Sequence, residues 1–596
     1  MAKLQNHTAV DSKVLLSKNR DFFPLVCKRR LRTVLGTFTF GVLSCLITPT
    51  PGLGAEKISF DYPPFGEFSI SRHSLEVFAK KGQITPEFAF YAKRIKPKQL
   101  AQLRELLQTR FEVTPTLVSQ FTYSKLGEKL LERFGELLRT QKRQNGFYAL
   151  RSALILAAAD PEGLTVVNAI RHYSSGRIQL NLSETQDIID NLSDLLKKRD
   201  ATVVALQRTA AKEADAQPKI DFSQQPDLRL AGLFKWHKQP LTLNDRSRKR
   251  RFGADLYIPQ ATKSQQPLSP FPVIVISHGV AEDRTTFTYL AEHLASYGFA
   301  VALLEHPDSD SKRFQQYFSG LAGPPEANEL INQPLDVKFL LDELQGISES
   351  DPNLKGQFNM QQVGAIGHSL GGYNVLASSG AKINFTQIYK DCNPNRSLDL
   401  SVFLQCRASE LPPRSYPIQD RRVKAVMAIN PLDSTILGQR GLSQIKVPVM
   451  LVAGSQDIFT PAVPEQIRPF TWLQTSNKYL MLIENGTHFS TLGHLNPADS
   501  ALPVPSSLIG TDLPTARTYI NALGLAFFKT YLTNRQEYHP YLSASYATFI
   551  SQPPLNLSLV QSFTAEQLAQ IYNDKSLRSL TPPQEQRREK TLEYEF

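Results

Sequence analysis

Cysteine is scarce in this 596-residue chain: there are four, and two of them, Cys27 and Cys45, fall within the first 55 residues. A small fold stapled by disulfides is therefore excluded. No zinc-type spacing of cysteine and histidine is present, nor a glycine loop of the kind that cradles phosphates, so no metal and no cofactor is expected. No internal repeat stands out. Positive charge is in excess, at +12, but residues 1–55 hold eight Lys/Arg against two Asp/Glu and leave only +6 for the remainder. Half of the basicity thus belongs to the amino-terminal segment, and no nucleic-acid partner is expected. With 41% apolar residues the chain is globular and long enough for two domains or more.

The amino terminus reads as an address. Lys28-Arg-Arg-Leu-Arg32 precedes an apolar run from Thr33 to Thr48, and Pro49, Pro51 and Gly52-Leu-Gly-Ala55 follow it. This is the order of a secretory signal, 1–55, with cleavage after Ala55. Val42-Leu-Ser-Cys45 also resembles a lipobox, so lipidation at Cys45 is an alternative. A retained membrane anchor is another, although a run of about 16 residues is short of the ~20 that span a bilayer. Export places the chain in the periplasm, the cell envelope or outside. The remaining Cys392 and Cys406 would then sit where disulfides persist, and a bond between them is expected, with two buried thiols as the alternative.

Residues 56–72 read as an extended segment, after which apolar positions recur at three-and-four spacing, as in Leu126–Leu138. The stretch 56–200 is expected to be an all-helical domain with no recognisable chemistry. A polar linker, 201–224, leads to residues 225–550, where short apolar runs alternate with helical ones: Phe271–Ser277, Ala300–Leu304, Val363–Ile366, Val423–Ile429 and Val449–Ala453. That alternation predicts a mainly parallel sheet covered on both faces, an α/β fold. Residues 381–420 form a long insertion carrying Phe385, Tyr389, Phe403 and Tyr416, either a lid over a site or a surface excursion. Residues 551–596 read as a tail.

Chemistry concentrates at the ends of those runs. In Gly367-His-Ser-Leu-Gly371 an apolar strand breaks into a turn that would lift Ser369 above the sheet. A serine hydroxyl is a weak nucleophile until a base and an oxyanion hole serve it. Asp457 and His488 follow later strands, and the order Ser, Asp, His is that of α/β-hydrolases. His488 is the candidate base and Asp457 the acid that orients it, with His494 and Asp433 as rivals. The backbone amides of Val280 and Leu370 are the candidate oxyanion donors. His278 and His368, which flank these turns, are expected to hold loops by hydrogen bonds.

Phe271-Pro-Val-Ile-Val-Ile-Ser-His-Gly-Val280 with Arg284, Leu294–Val301, Glu305-His-Pro-Asp308 and Gly367–Gly372 together resemble the plasma-type platelet-activating-factor acetylhydrolases and dienelactone-hydrolase-like serine esterases, over roughly 225–535. The helical domain before it makes the chain similar to exported two-domain α/β-hydrolases of cyanobacterial type. The resemblance implies Ser369 as nucleophile, His488 as base and Val280 and Leu370 as oxyanion donors, and it favours short acyl groups. Two departures stand out. The acetylhydrolase acid follows the preceding strand, where this chain has Asn430, and dienelactone hydrolases proper carry cysteine where Ser369 stands.

The expected activity is hydrolysis of carboxylic esters, small, amphiphilic or lipid-like, through an acyl-enzyme. The alternatives are a lipase or phospholipase whose helical domain engages lipid, by peripheral association with a membrane, and a non-catalytic envelope protein that binds a lipid or partner on a hydrolase fold. Peptidase chemistry is open to the same triad. Oligomeric state is not legible.

Overall fold

Six neighbouring strands in this chain are apolar at nearly every position, a pattern stable only in a sheet buried on both faces. In the computed structural model, which describes residues 54–260, 270–392, 399–493 and 506–573, they form the centre of a nine-stranded sheet. The sheet comprises β5 (Lys235–Asp245), β6 (Arg250–Gln260), β7 (Phe271–Ser277), β8 (Ala300–Leu304), β9 (Phe358–His368), β10 (Val423–Ile429), β11 (Val449–Gly454), β12 (Lys478–Ile483) and β13 (Leu557–Val560). Its order is β13-β12-β11-β10-β9-β7-β8-β6-β5. Strands β8, β7, β9, β10, β11 and β12 run parallel, while β13 at one edge and the β5–β6 hairpin at the other are antiparallel.

Alternate residues of one strand serve two different cores. Val273 and Val275 of β7 pack with Val337, Leu340 and Leu344 of the helix Glu329–Ser350 and with Tyr373 and Leu376 of the helix Leu370–Ser378. Ile274 and Ile276 pack on the other face with Ile520, Leu523 and Phe527 of the helix Leu513–Thr533. Each fully buried aliphatic side chain contributes roughly 1.5–3 kcal/mol. The chain leaves β7 toward β8 on one side and returns to β9 on the other, so the order reverses between β7 and β9. A crevice opens outside the carboxyl ends of strands at such a reversal.

The amino-terminal region has its own core, in which Leu75, Phe78, Phe88, Ala153, Tyr173 and Ile178 are buried. It is predominantly helical but not all-helical. A four-stranded sheet, order β2-β1-β4-β3, joins β1 (Lys57–Tyr62), β2 (Gly66–Ser71), β3 (Leu138–Arg139) and β4 (Arg177–Leu180). β1 and β4 pair although more than 110 residues lie between them, a tertiary contact that helical periodicity does not reveal.

Three expected boundaries move. The stretch 201–224 is not a polar linker: one helix runs from Leu182 to Ala216, and Val203, Leu206 and Ala210 are buried in the main core. Phe222 then packs between Tyr541 and Tyr546. Residues 551–573 are not tail, because β13 pairs with β12 from Leu480↔Val560 to Ile483↔Leu557 and a helix Ala565–Asn573 follows. Ala55, expected to end the signal, is fully buried, and a Cβ on Gly54 would lie 1.5 Å from the Arg171 carbonyl oxygen. The folded unit therefore takes in both residues, and a cut after Ala55 would strip a buried side chain from it. Cys45 and the rest of 1–53, His494 and residues 574–596 lie outside the described residues.

Candidate active site

Strand β9 passes into the helix Leu370–Ser378 through Ser369, whose φ of 54° and ψ of −117° lie where side chains are rarely tolerated. Neighbouring glycines make the turn feasible. A Cβ on Gly367 would stand 2.0 Å from the Gly371 carbonyl oxygen, and one on Gly371 would stand 2.2 Å from that of Ser277. The Ser369 amide donates to the Ile429 carbonyl of β10 at 2.9 Å, which anchors the elbow to the sheet.

The turn after β7 closes on this serine. A Cβ on Gly279 would come within 3.0 Å of the Ser369 Cβ and 2.7 Å of Glu282 Oε1, so a side chain there would crowd both. Among the described residues, the amides of Val280 and Leu370 have no intramolecular acceptor. Two backbone donors are thus free at the elbow, Leu370 in the first turn of a helix, where the helix dipole favours negative charge.

Asp457 lies three residues beyond β11 and His488 five beyond β12. Parallel register, Gly454↔Ile483, brings both loops to the same, carboxyl end of the strands. His488 Nδ1 donates to Asp457 Oδ2 at 2.6 Å. The carboxylate also accepts the amides of Phe459 and Thr460 at 2.8 Å each, and the Thr460 hydroxyl at 2.8 Å. With Nδ1 protonated toward the acid, the neutral ring keeps its lone pair on Nε2. Phe459 and Phe489 flank the imidazole, their ring centres 5.4 and 5.3 Å away. Ser369, Asp457 and His488 are 7, 5 and 6% exposed.

Asp433, the rival acid, lies elsewhere. It is fully buried, neither carboxylate oxygen has a partner among the described residues, and burial, reinforced by the charge of Glu465, pushes its pKa well above the carboxylate range. Asn430, directly after β10, has another task. Its Nδ2 donates to the His488 carbonyl at 3.2 Å while Oδ1 accepts the Gly454 amide at 3.0 Å.

Behind the elbow lies an ion pair that the sequence reading did not single out. His368 Nδ1 contacts Glu282 Oε1 at 2.6 Å, and its Nε2 donates to the His488 carbonyl at 2.9 Å. Both partners accept, which requires a doubly protonated ring. Burial opposes that charge, yet Glu282 outweighs it and the His368 pKa is raised. For Glu282 burial likewise opposes ionisation, and the imidazolium wins, so its pKa is lowered. Glu282 Oε2 also accepts the Gly279 amide at 2.9 Å, so one ion pair joins the oxyanion turn, the elbow and the His488 loop. His278 is also a loop-holder, its Nδ1 donating to the Gly279 carbonyl at 2.7 Å and its Nε2 accepting the His306 amide at 3.0 Å.

A cavity of about 370 Å³ adjoins His488, lined also by Gln456, Ile458, Phe459, Asn485 and Leu508. The insertion's aromatics do not line it. Phe385 and Tyr416 instead face a separate cavity of about 580 Å³ beside Lys382, Arg414 and Arg440. Cys392 and Cys406 are joined by a disulfide, Cα atoms 5.6 Å apart, that pins the insertion.

Two family models match parts of the chain. Residues 54–181 match "Alpha/beta hydrolase of unknown function (DUF1400)" and residues 231–333 match "Platelet-activating factor acetylhydrolase, isoform II". A curated relative, the platelet-activating factor acetylhydrolase of Cavia porcellus, is 27% identical over 136 residues, 18% of this chain. That alignment spans about a third, 31%, of the relative's length. With the sheet and its crossover, these matches identify an α/β-hydrolase fold carrying a distant acetylhydrolase likeness in its first strands.

Proposed function

We propose that this chain hydrolyses carboxylic esters through an acyl-enzyme on Ser369. What supports the reading is that a serine in a strained elbow, a His488–Asp457 pair and two amides without an intramolecular acceptor among the described residues all lie in turns at the carboxyl ends of parallel strands of one sheet. In the proposed mechanism Ser369 Oγ attacks the ester carbonyl carbon as His488 Nε2 takes its proton, and Asp457 stabilises the imidazolium. The carbonyl electrons move onto oxygen, which receives the Val280 and Leu370 amides. Collapse breaks the bond to the alcohol, which leaves with the proton from His488. Water, deprotonated by the same histidine, then releases the acid. The acetylhydrolase named among the relatives supports ester hydrolysis, and the disulfide, which persists in oxidising compartments, supports export.

Turnover of p-nitrophenyl esters from acetate to palmitate, with fluorophosphonate labelling, tests the reading against Ser369→Ala. Loss of both in the variant supports it. A folded wild type that neither turns over nor labels would leave a binding protein on a hydrolase fold.

One observation favours a second reading, an enzyme that works at a lipid surface. Exposed Tyr62 and Phe65 stack at 5.9 Å, and Phe68 stacks on exposed Phe90 at 5.9 Å, giving the β1–β2 hairpin an aromatic face suited to a headgroup layer. Flotation of the whole protein with phosphatidylcholine vesicles, lost in Phe65→Ser/Phe90→Ser, would support it, and no flotation of the wild type would remove it.

A further inference from the structure

The helix Leu182–Ala216 carries one stripe at alternating steps of four and three residues: Leu192, Leu196, Arg199, Val203, Leu206 and Ala210. Such steps keep side chains on a single face. From Val203 onward that face is buried in the main core. Upstream it emerges, with Leu192 44% and Leu196 40% exposed.

The place where it emerges is the edge of the candidate site. Arg199 Nη1 donates to Gln456 Oε1 at 2.9 Å, and Gln207 Nε2 donates to Glu484 Oε2 at 3.0 Å. Gln456 precedes Asp457 and lines the cavity beside His488, and Glu484 begins the loop that carries His488. At ~1.5 Å per residue, Leu196 and Leu192 continue the stripe about 5 and 10 Å past Arg199 along the helix. Ile458, an apolar residue of the cavity wall, is itself 48% exposed. Two more ties hold the amino-terminal region to loops at this end of the sheet. Tyr317 Oη donates to the Gln120 carbonyl at 2.8 Å, and Lys125 Nζ pairs with Glu410 at 3.1 Å.

We propose that Leu192 and Leu196 extend the cavity beside His488 into a cleft for the alkyl portion of the substrate, so that the amino-terminal region selects esters by chain length. The proposal rests on the ester-hydrolase reading. Its occupant is argued from adjacency: the cavity touches His488, the proposed base, and its Gln456 bonds Arg199, beyond which the two leucines lie, so an alkyl group of the proposed ester is the apolar ligand nearest to hand. Apolar side chains extend the cleft while Gln456, Asn485 and Arg199 stay polar at its neck, a pattern that fits an ester with a long aliphatic chain.

The test compares wild type with Leu192→Ser/Leu196→Ser, both positions being exposed and helical. The ratio of kcat/KM for p-nitrophenyl decanoate to that for p-nitrophenyl acetate should fall about tenfold in the variant. Equal losses at both chain lengths, or none, would overturn the proposal. Calorimetric binding of decanoate to each protein in a Ser369→Ala background removes the dependence on chemistry. Affinity about tenfold weaker in the double variant is expected, and unchanged affinity would overturn the cleft. Decanoate binding that depends on the two leucines, in a wild type without esterase activity, would sink the hydrolase reading and leave the cleft standing.

Discussion

The molecule holds two sets of Ser, His and Asp side chains, Ser369 with the His488–Asp457 pair and Ser277 with His306 and Asp336, and they differ in burial. The second was not visible in the sequence. Ser277 Oγ donates to His306 Nε2 at 2.8 Å, and His306 Nδ1 donates to Asp336 Oδ2 at 3.2 Å. All three side chains are fully buried, whereas the Ser369 set keeps some exposure and borders a cavity. Their carboxylates differ as well. Asp457 is held by amides and a hydroxyl, but Asp336 also pairs with Arg248 and Arg250 at 2.8 Å each. Burial, reinforced by the nearby cations, drives the His306 pKa down to about 4, so this imidazole stays neutral and serves as a fixed bridge. The same three residue types thus make a candidate catalyst where a substrate can reach them and a buried strut where none can.

The sharpest way to break this comparison is to truncate both serines. Ser369→Ala should lower kcat by about 10⁴-fold or more. Ser277→Ala should leave kcat per folded molecule within about twofold, and cost about 1–3 kcal/mol in urea unfolding by stranding the Asn374 amide and His306 Nε2. If Ser277→Ala alone abolished turnover, the roles would be reversed. The two acids offer the next contrast. Asp457→Asn should reduce kcat by about 10³–10⁴-fold, as expected when a base loses its orienting carboxylate. Asp433→Asn should leave kcat unchanged and hold stability level or raise it, because it replaces a buried, unpartnered carboxyl group. A steep loss in the Asp433 variant would restore it as the acid.

Arg250→Ala probes the strut alone. It leaves Asp336 with Arg248 as its one remaining arginine and takes from buried Glu329 its cation, and should cost about 3–5 kcal/mol. Activity of the remaining folded fraction should stay near wild type, as a stability assay beside an active-site titration would show.

Smaller effects come from pH, and the two regions differ in sign. The His306 pKa is depressed, so its contribution is present above the unfolded value of 6.5 and is lost as pH falls toward about 4. The His368 pKa is raised, so its contribution is complete below 6.5 and is lost as pH rises through the folded value. Glu282, lowered from 4.5, contributes above that value and loses its effect on acidification. Urea midpoints from pH 4 to 9 should therefore show that Glu282→Gln removes an alkaline-side decline while the acid-side decline of the strut persists. Identical alkaline limbs in variant and wild type would count against the ion pair.

Much of this was legible one residue at a time. The elbow, the apolar strands and the order Ser369, Asp457, His488 depend on local steric rules and periodicity, and the disulfide followed from an even cysteine count. The linker reading failed because the polar face of the Leu182–Ala216 helix dominates its composition, and only the three-and-four stripe betrays burial. Glu282 carried no signal, and Asn430 was noted only as a departure from the acetylhydrolase pattern, since a lone Glu or Asn in a loop is ordinarily a solvated turn residue.

By itself the sequence determined what each segment can be: strand, helix, elbow, and a parallel sheet demanding cover on both faces. Those outcomes follow from backbone sterics and side-chain periodicity, which act over a few residues. Only the tertiary structure decided which groups meet. Parallel register set Asp457 rather than Asp433 against His488. Burial among arginines made Ser277, His306 and Asp336 a strut, and a helix begun in the amino-terminal region reached the edge of the candidate site. Such pairings join residues from 29 to more than 250 positions apart, and their energies depend on desolvation and distance, quantities that exist only once the chain is folded.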